Sequence, residues 1–175
     1  MKVAKLSPSE KSQNPICRIV LVEALIPQNT GNIARTCVGI NAELHLIGPL
    51  GFEMSESRVK RAGLDYWEHL RWFYYESVSD WWAKVEDKTR VFFIETGTAK
   101  SLYDLKFQEG DWLVFGKETT GLTKEIIELN DAGACFLPMP GPIRSLNLSN
   151  AVAISAFEVL RQCMRSIESK GKEFS

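Results

Sequence analysis

Three polar stretches carry the residue types that can do chemistry. The first runs from Asn29 to Arg35: Asn29-Thr30-Gly31-Asn32 is turn-like and supplies helix caps, and the helix that follows carries Arg35. Free backbone N–H groups at a helix start favour an anion, and a guanidinium adds a planar fork of donors that suits phosphate. The same residues also describe an ordinary capped helix with a surface arginine. Their spacing is neither the G-x-G-x-x-G of dinucleotide binders nor a Walker loop. The second stretch is Gly116-Lys117-Glu118-Thr119-Thr120-Gly121, in which Gly116 permits close backbone approach and Glu118 is the one acid; a solvated turn is the competing description. The third, LPMPGPIRSLNLSN from Leu137 to Asn150, is stiffened by Pro138, Pro140 and Pro142. Gly141 allows it an unusual turn, and Arg144, Ser145, Asn147, Ser149 and Asn150 supply its polar groups. A rigid, non-repetitive loop suits a preformed pocket that reads a ligand through backbone groups. Its alternative is a connector into a helix capped by Asn147 or Ser149.

The elements that must position these stretches alternate along the chain. Short β-branched or apolar runs predict strands over Ile16–Val22, Glu43–Ile47, Arg71–Tyr75, Val91–Ile94, Asp111–Phe115 and Ala134–Leu137. Helices are predicted over Ile33–Ile40, over Ser55–Ala62, from Ser77 or Ser79 through Lys88, from Thr123 through Leu129, and over Leu148–Ser169. Leu64–Leu70 fits either state. Alternating strands and helices imply an α/β fold, a parallel sheet flanked by helices on both faces. In such a sheet ligands bind beyond the carboxyl ends of the strands. All three polar stretches follow strands, so they share one site if the strand order brings them together.

Composition narrows the class. The 175 residues are 45% hydrophobic and 25% charged, which fits a globular chain and excludes disorder, collagen and coiled coil. One domain over residues 16–170 is the natural count, with residues 1–15 as a flexible leader. Lys and Arg number 21 against 22 Asp and Glu, so bulk charge alone will not hold nucleic acid. The local cluster Arg58-Val59-Lys60-Arg61 reads equally as a phosphate contact or a solvated helix face. Cys17, Cys37, Cys135 and Cys163 form no C-x-x-C pair, and free thiols fit a reducing, cytoplasmic setting. No apolar run approaches the roughly 20 residues that cross a bilayer. The tryptophans read mostly as core or interface anchors, and His45, inside a strand, as structural. No Ser-His-Asp order, paired-carboxylate spacing or metal-ligand cluster stands out, which weakens hydrolase and metalloenzyme readings.

Taken in order, the three stretches resemble the three motifs of the SPOUT methyltransferases. The first is Ile26-Pro27-Gln28-Asn29-Thr30-Gly31-Asn32-Ile33-Ala34-Arg35. The second is Leu113-Val114-Phe115-Gly116-Lys117-Glu118-Thr119-Thr120-Gly121-Leu122, and the third runs from Leu137 through Ala151. The stretch Arg58–Tyr66 (RVKRAGLDY) narrows the resemblance to single-domain tRNA 2′-O-methyltransferases that modify the wobble nucleotide, cytidine or uridine 34. The resemblance implies a C-terminal deep trefoil knot over about residues 90–165, S-adenosylmethionine as cofactor, tRNA as partner through its anticodon stem-loop, and a homodimer with residues of both subunits at the active site. It implies no metal and no membrane. Composition shows none of this, and connection rules argue against knots.

Carried onto this sequence, the resemblance assigns the cofactor to Ile94, Glu95, Thr96, Gly97, Gly116, Glu118, Gly121, Leu137, Met139, Ser145 and Leu146. Catalysis would fall to Arg35, with Asn32, Glu118 and Asn147 shaping the pocket and holding Arg35 or the substrate. Asn150 would cap the last helix or bond across the site. Arg58, Lys60, Arg61, Arg144 and Phe157 would meet the RNA, Phe157 standing where members often carry tyrosine. The competing functions are 2′-O-methylation of another tRNA or rRNA nucleotide, an inactive RNA-binding knot protein, and an unrelated nucleotide-binding α/β protein.

Overall fold

The computed structural model describes residues 14–52 and 65–169. Four strands have both faces buried and are nearly continuous hydrophobic runs, which is the pattern that demands cover on each side. These are β2 (Glu43–Ile47), β4 (Val91–Ile94) and β6 (Asp111–Phe115), joined by β1 (Cys17–Val22) with only Arg18 half-exposed. With β3 (Arg71–Tyr75), β5 (Lys100–Ser101) and β7 (Ala134–Phe136) they form a seven-stranded sheet in the order β3-β2-β1-β6-β4-β7-β5. Every pairing between these strands is parallel. β7 enters the sheet between β4 and β5, two strands laid down before it.

The period-two alternation of each strand sorts its side chains into two cores. Ile19, Leu21, Leu44, Leu46, Leu113 and Phe115 face one layer with Ile33 and Cys37 of α1 (Pro27–Gly39) and Val152, Ala156, Val159 and Cys163 of α4 (Leu148–Ser169). Val20, Val22, Phe93, Trp112 and Val114 face the other, with Trp81 of α2 (Val78–Trp82) and Ile126 and Ile127 of α3 (Lys124–Ile127). Trp81 is wholly buried and Trp112 nearly so, as core residues. All four cysteines are buried free thiols.

Three expectations are corrected. The first helix begins at Pro27, six residues before Ile33, so Asn29–Asn32 are helical and do not form a capping turn. Proline at the first helical position has its φ already set and no N–H to satisfy. The preceding Ile26 makes no side-chain cap; a distant carboxylate, described below, does that work. The helix capped by Ser77, whose side chain accepts from the Asp80 N–H, stops at Trp82 and does not reach Lys88, because Asp87 caps a separate 3-10 turn over Lys88–Arg90. The helix expected through Leu129 ends at Ile127 and passes into a 3-10 segment, Glu128–Gly133. Of the ambiguous Leu64–Leu70 stretch the described residues form a 3-10 turn at Asp65–His69, the edge strand Lys100–Ser101 has no counterpart among the predicted strands, and the Ser55–Ala62 helix lies outside the described residues.

The amino ends of the strands are pinned by charge. Asp111, fully buried at the start of β6, accepts from the Arg90 guanidinium just before β4, Nε to Oδ1 at 2.8 Å. Glu43 of β2 lies 3.1 Å from Arg18 Nε of β1 and 3.5 Å from Arg71 Nη1 of β3. Within this network His45 is buried, stacked on Phe73 at 4.6 Å and tilted against Trp112 at 4.7 Å; its Nδ1 is 3.0 Å from the Tyr75 hydroxyl and its Nε2 3.5 Å from Glu43. Burial, aided by Arg18, pushes the His45 pKa below its ordinary value against the opposing pull of Glu43. A folded pKa below the unfolded one means that the unfolded chain takes up the proton first. Stability is therefore expected to be full above about pH 7 and to decline as pH falls below about 6.5, until the buried ring is itself protonated. Urea unfolding from about pH 7.5 to 5 should show this slope, and His45→Phe should flatten it; an unchanged slope in the variant would place the titration elsewhere.

Candidate active site

The carboxyl ends of β1, β6, β4 and β7, four neighbours in the sheet, open into one cavity of about 500 Å³. Its wall takes Ile26 and Asn29 from the start of α1, Ile94–Thr96 after β4, Phe115–Gly121 from β6 onward, and Leu137, Met139 and Arg144–Leu148 from the proline-rich loop, with Ala151 of α4. The three polar stretches are thus brought together, and the strand order is what does it.

A chain of hydrogen bonds ties them. Both Glu118 oxygens accept: from the Leu25 N–H at 2.9 Å, the Ile26 N–H at 3.1 Å and Asn29 Nδ2 at 3.0 Å. Burial alone would raise the Glu118 pKa, but these donors outweigh it and hold the carboxyl below the usual range. Asn29 is buried, and its Oδ1 accepts from Asn147 Nδ2 at 3.0 Å. Asn147 Oδ1 in turn accepts from the Ser149 N–H at 2.9 Å and the Ser149 hydroxyl at 2.7 Å, capping α4. Glu118 supplies α1 with the cap its own sequence lacks, and Asn147, not Asn150, caps α4.

The loop 116–122 is fixed from its other side. Gly121 has φ +68° and its Cα lies against Glu95, where a Cβ would stand 2.1 Å from Oε2; a Cβ on Gly116 would meet the Gly121 carbonyl carbon at 2.0 Å. No side chain is accommodated at either position. Glu95 accepts from the Leu122 N–H at 2.6 Å and the Thr96 N–H at 2.8 Å. Among the described residues no group of three or more His, Cys, Asp or Glu side chains is placed to hold a metal ion, and no helix is long and apolar enough to cross a membrane.

Ten of the eleven residues expected around a cofactor line this cavity. Gly97 does not: the Thr98 hydroxyl donates to the Glu95 carbonyl, and the chain turns away at Gly97, with φ +78°. Of the expected catalytic residues, Glu118 and Asn147 are in the wall, where their polar atoms hold loops and helices in place. Asn32 and Arg35 are on the exposed side of α1, outside the cavity wall. Arg144 lines the rim and is exposed, Phe157 stands 54% exposed on α4 away from the cavity, and Arg58, Lys60 and Arg61 lie outside the described residues. Sequence reasoning passed over Asn29 as a site residue. The signal was an asparagine two positions after a helix-starting proline, but its meaning rests on partners 89 and 118 positions away.

A parallel α/β sheet with a loop-built cavity at its carboxyl edge defines a ligand-binding enzyme fold of the doubly wound type. Residues 17–157 match the model of the SpoU rRNA Methylase family, and the chain belongs to that family. It is 44% identical over 149 residues to the tRNA (cytidine(34)-2'-O)-methyltransferase of Polaromonas, covering 82% of this chain and 89% of that one. A solved structure described as giving insight into 2-OH methylation of C/U34 on tRNA matches with TM-score 0.78 at 43% identity, over 85% of this chain and 97% of the other. The SpoU methyltransferase AviRb from Streptomyces viridochromogenes, solved with the cofactor AdoMet, shares the fold: TM-score 0.74, 21% identity, 90% of this chain and 64% of that one.

Because both Glu118 oxygens face donors, Glu118→Gln turns an amide NH2 against a backbone N–H. We expect a loss of about 1–2 kcal/mol in unfolding free energy, given the site's partial exposure. Asn29→Ala and Asn147→Ala should cost less together than the sum of the two, since each alone strands its partner. Additive losses would remove the coupling.

Proposed function

We propose that this enzyme transfers a methyl group from S-adenosylmethionine to the ribose 2′-hydroxyl of the wobble nucleotide, cytidine or uridine 34, of cytoplasmic tRNA. The observation that carries the reading is the convergence of the three motifs on one cavity, tied by Glu118, Asn29 and Asn147. The relatives' names supply the nucleotide. The cavity suits the cofactor: Ile94, Leu137, Met139 and Leu146 offer apolar walls to a flat base, and the Gly116–Gly121 contact brings bare backbone close to the space. When bound, S-adenosylmethionine supplies an electrophilic methyl on a sulfonium, so the protein's share is alignment and charge stabilisation.

Arg35 is the residue we assign to the reacting hydroxyl. A guanidinium stays protonated, so it grips the neighbouring phosphate and stabilises the developing alkoxide and does not act as a base. It stands about 9 Å along α1 from Asn29 and about 120° round the helix from it. Asn32 lies between them and orients Arg35 or the ribose. That placement suits a site completed by a second subunit. The outer face of α4 carries Ile154 at 39%, Phe157 at 54% and Met164 at 37% exposure, a stripe opposite the face that buries Val152, Ala156, Val159 and Cys163. A helix apolar on two opposed faces needs a second partner, and we assign it to a homodimer. The insertion of β7 between β4 and β5 supports a knot over about residues 90–165.

Incubation with labelled S-adenosylmethionine and bulk tRNA should place the methyl on ribose 34. Arg35→Ala should remove most transfer and leave cofactor binding intact, and near-normal turnover would end that role. Replacing Arg58, Lys60 and Arg61 together by Ala should weaken tRNA binding and its salt dependence while sparing cofactor affinity; equal loss of both would end the separate RNA patch. In sedimentation, the unaltered chain should run as a dimer and Phe157→Glu as a monomer. A dimer unmoved by that change would send the interface elsewhere.

A further inference from the structure

Four charged side chains line the cavity: Glu95, Lys117, Glu118 and Arg144. Glu95 and Glu118 are spent on backbone donors. Lys117 is different, because its ammonium is paired with Glu23, a residue outside the cavity wall. Glu23 terminates β1 with φ 52°, a left-handed conformation that is uncommon for a non-glycine residue and tends to mark function. The pair stands at the mouth, the side chains 29% and 35% exposed. An ion pair with about a third of each side chain in water contributes modestly to stability. A phosphate arriving at the mouth competes with the carboxylate for the ammonium.

Resting on the proposed RNA substrate, we infer that Lys117 is a phosphate contact for the RNA and that Glu23 tempers it. Paired, Lys117 presents little net charge to any passing phosphodiester. An RNA seated by its other contacts brings one phosphate to the ammonium at the mouth, and Lys117 then turns from the carboxylate to it. The pair thus sets specificity: it suppresses the sequence-independent electrostatic term that would otherwise hold unrelated RNA.

The test is binding of an unmodified anticodon stem-loop and of an oligouridine of equal length, each across a range of salt. The proteins are the unaltered chain, Lys117→Met, Lys117→Arg and Glu23→Gln, with melting temperatures to confirm folding and calorimetry for S-adenosylmethionine. Lys117→Met should loosen the stem-loop about fivefold to tenfold and lower the slope of log K on log salt by about one contact, while Lys117→Arg keeps the slope. Glu23→Gln should tighten both RNAs severalfold and narrow the ratio between them. An unchanged slope in Lys117→Met, or weaker RNA binding in Glu23→Gln, overturns the inference. So does a threefold or larger loss of S-adenosylmethionine affinity in Lys117→Met, which would assign the lysine to the cofactor. If the unaltered chain binds no stem-loop, the substrate reading fails and takes the inference with it.

Discussion

A carboxylate can only accept hydrogen bonds, and that constraint runs through the whole site. Glu118 obliges Asn29 to turn its Nδ2 inward, which leaves Oδ1 for Asn147; Asn147 must then donate Nδ2 and keep Oδ1 for the first turn of α4. One acid therefore fixes the orientation of two amides and the start of two helices. Reversing Asn29 would set acceptor against acceptor at Glu118 and donor against donor at Asn147, and in a partly buried place unmet groups carry a cost. The links join residues 89 and 118 positions apart, so the chain of bonds can close only when β1, β6 and β7 already occupy their places in the sheet.

The two ends of the sheet solve different problems. At the amino end, strands are pinned directly to one another by Arg18, Glu43, Arg71, Arg90 and Asp111, each carboxylate paired with a guanidinium of a neighbouring segment. At the carboxyl end the strands part into loops, and the carboxylates there bind backbone N–H groups of other loops. The first arrangement makes the sheet's base rigid and closed. The second leaves room between loops that are nonetheless held, which is what a preformed cavity requires.

What the sequence disclosed follows the range of the forces involved. The strands Glu43–Ile47, Arg71–Tyr75, Val91–Ile94 and Asp111–Phe115 and the helix Leu148–Ser169 were legible to the residue, because apolar runs and helical periodicity are local. The start of α1 was not, since four polar residues look like a turn when the capping group is 89 positions away. β5, two residues long and largely exposed, has no pattern to read. Ten of the eleven residues that the motif resemblance assigned to a cofactor line one cavity, and Gly97 lies outside it, where the backbone turns with positive φ. The role of Asn29 was hidden for the same reason as the start of α1: it is a consequence of strand order.

The engagement of the cavity's acids also bears on how the chemistry is shared. Glu95 and Glu118 are the carboxylates of the wall, and each has both oxygens occupied by donors. Glu118 is held below its ordinary pKa by its donors and is the weaker base for it. His45 is locked among Glu43, Tyr75 and the aromatic rings at the base of the sheet, away from the cavity wall. The wall's carboxylates are thus engaged in holding loops. A methyl donor that carries its own leaving group asks its protein chiefly for alignment, and alignment depends on loops that cannot shift. The hydrogen-bond chain from Glu118 to Asn147 is what keeps them from shifting.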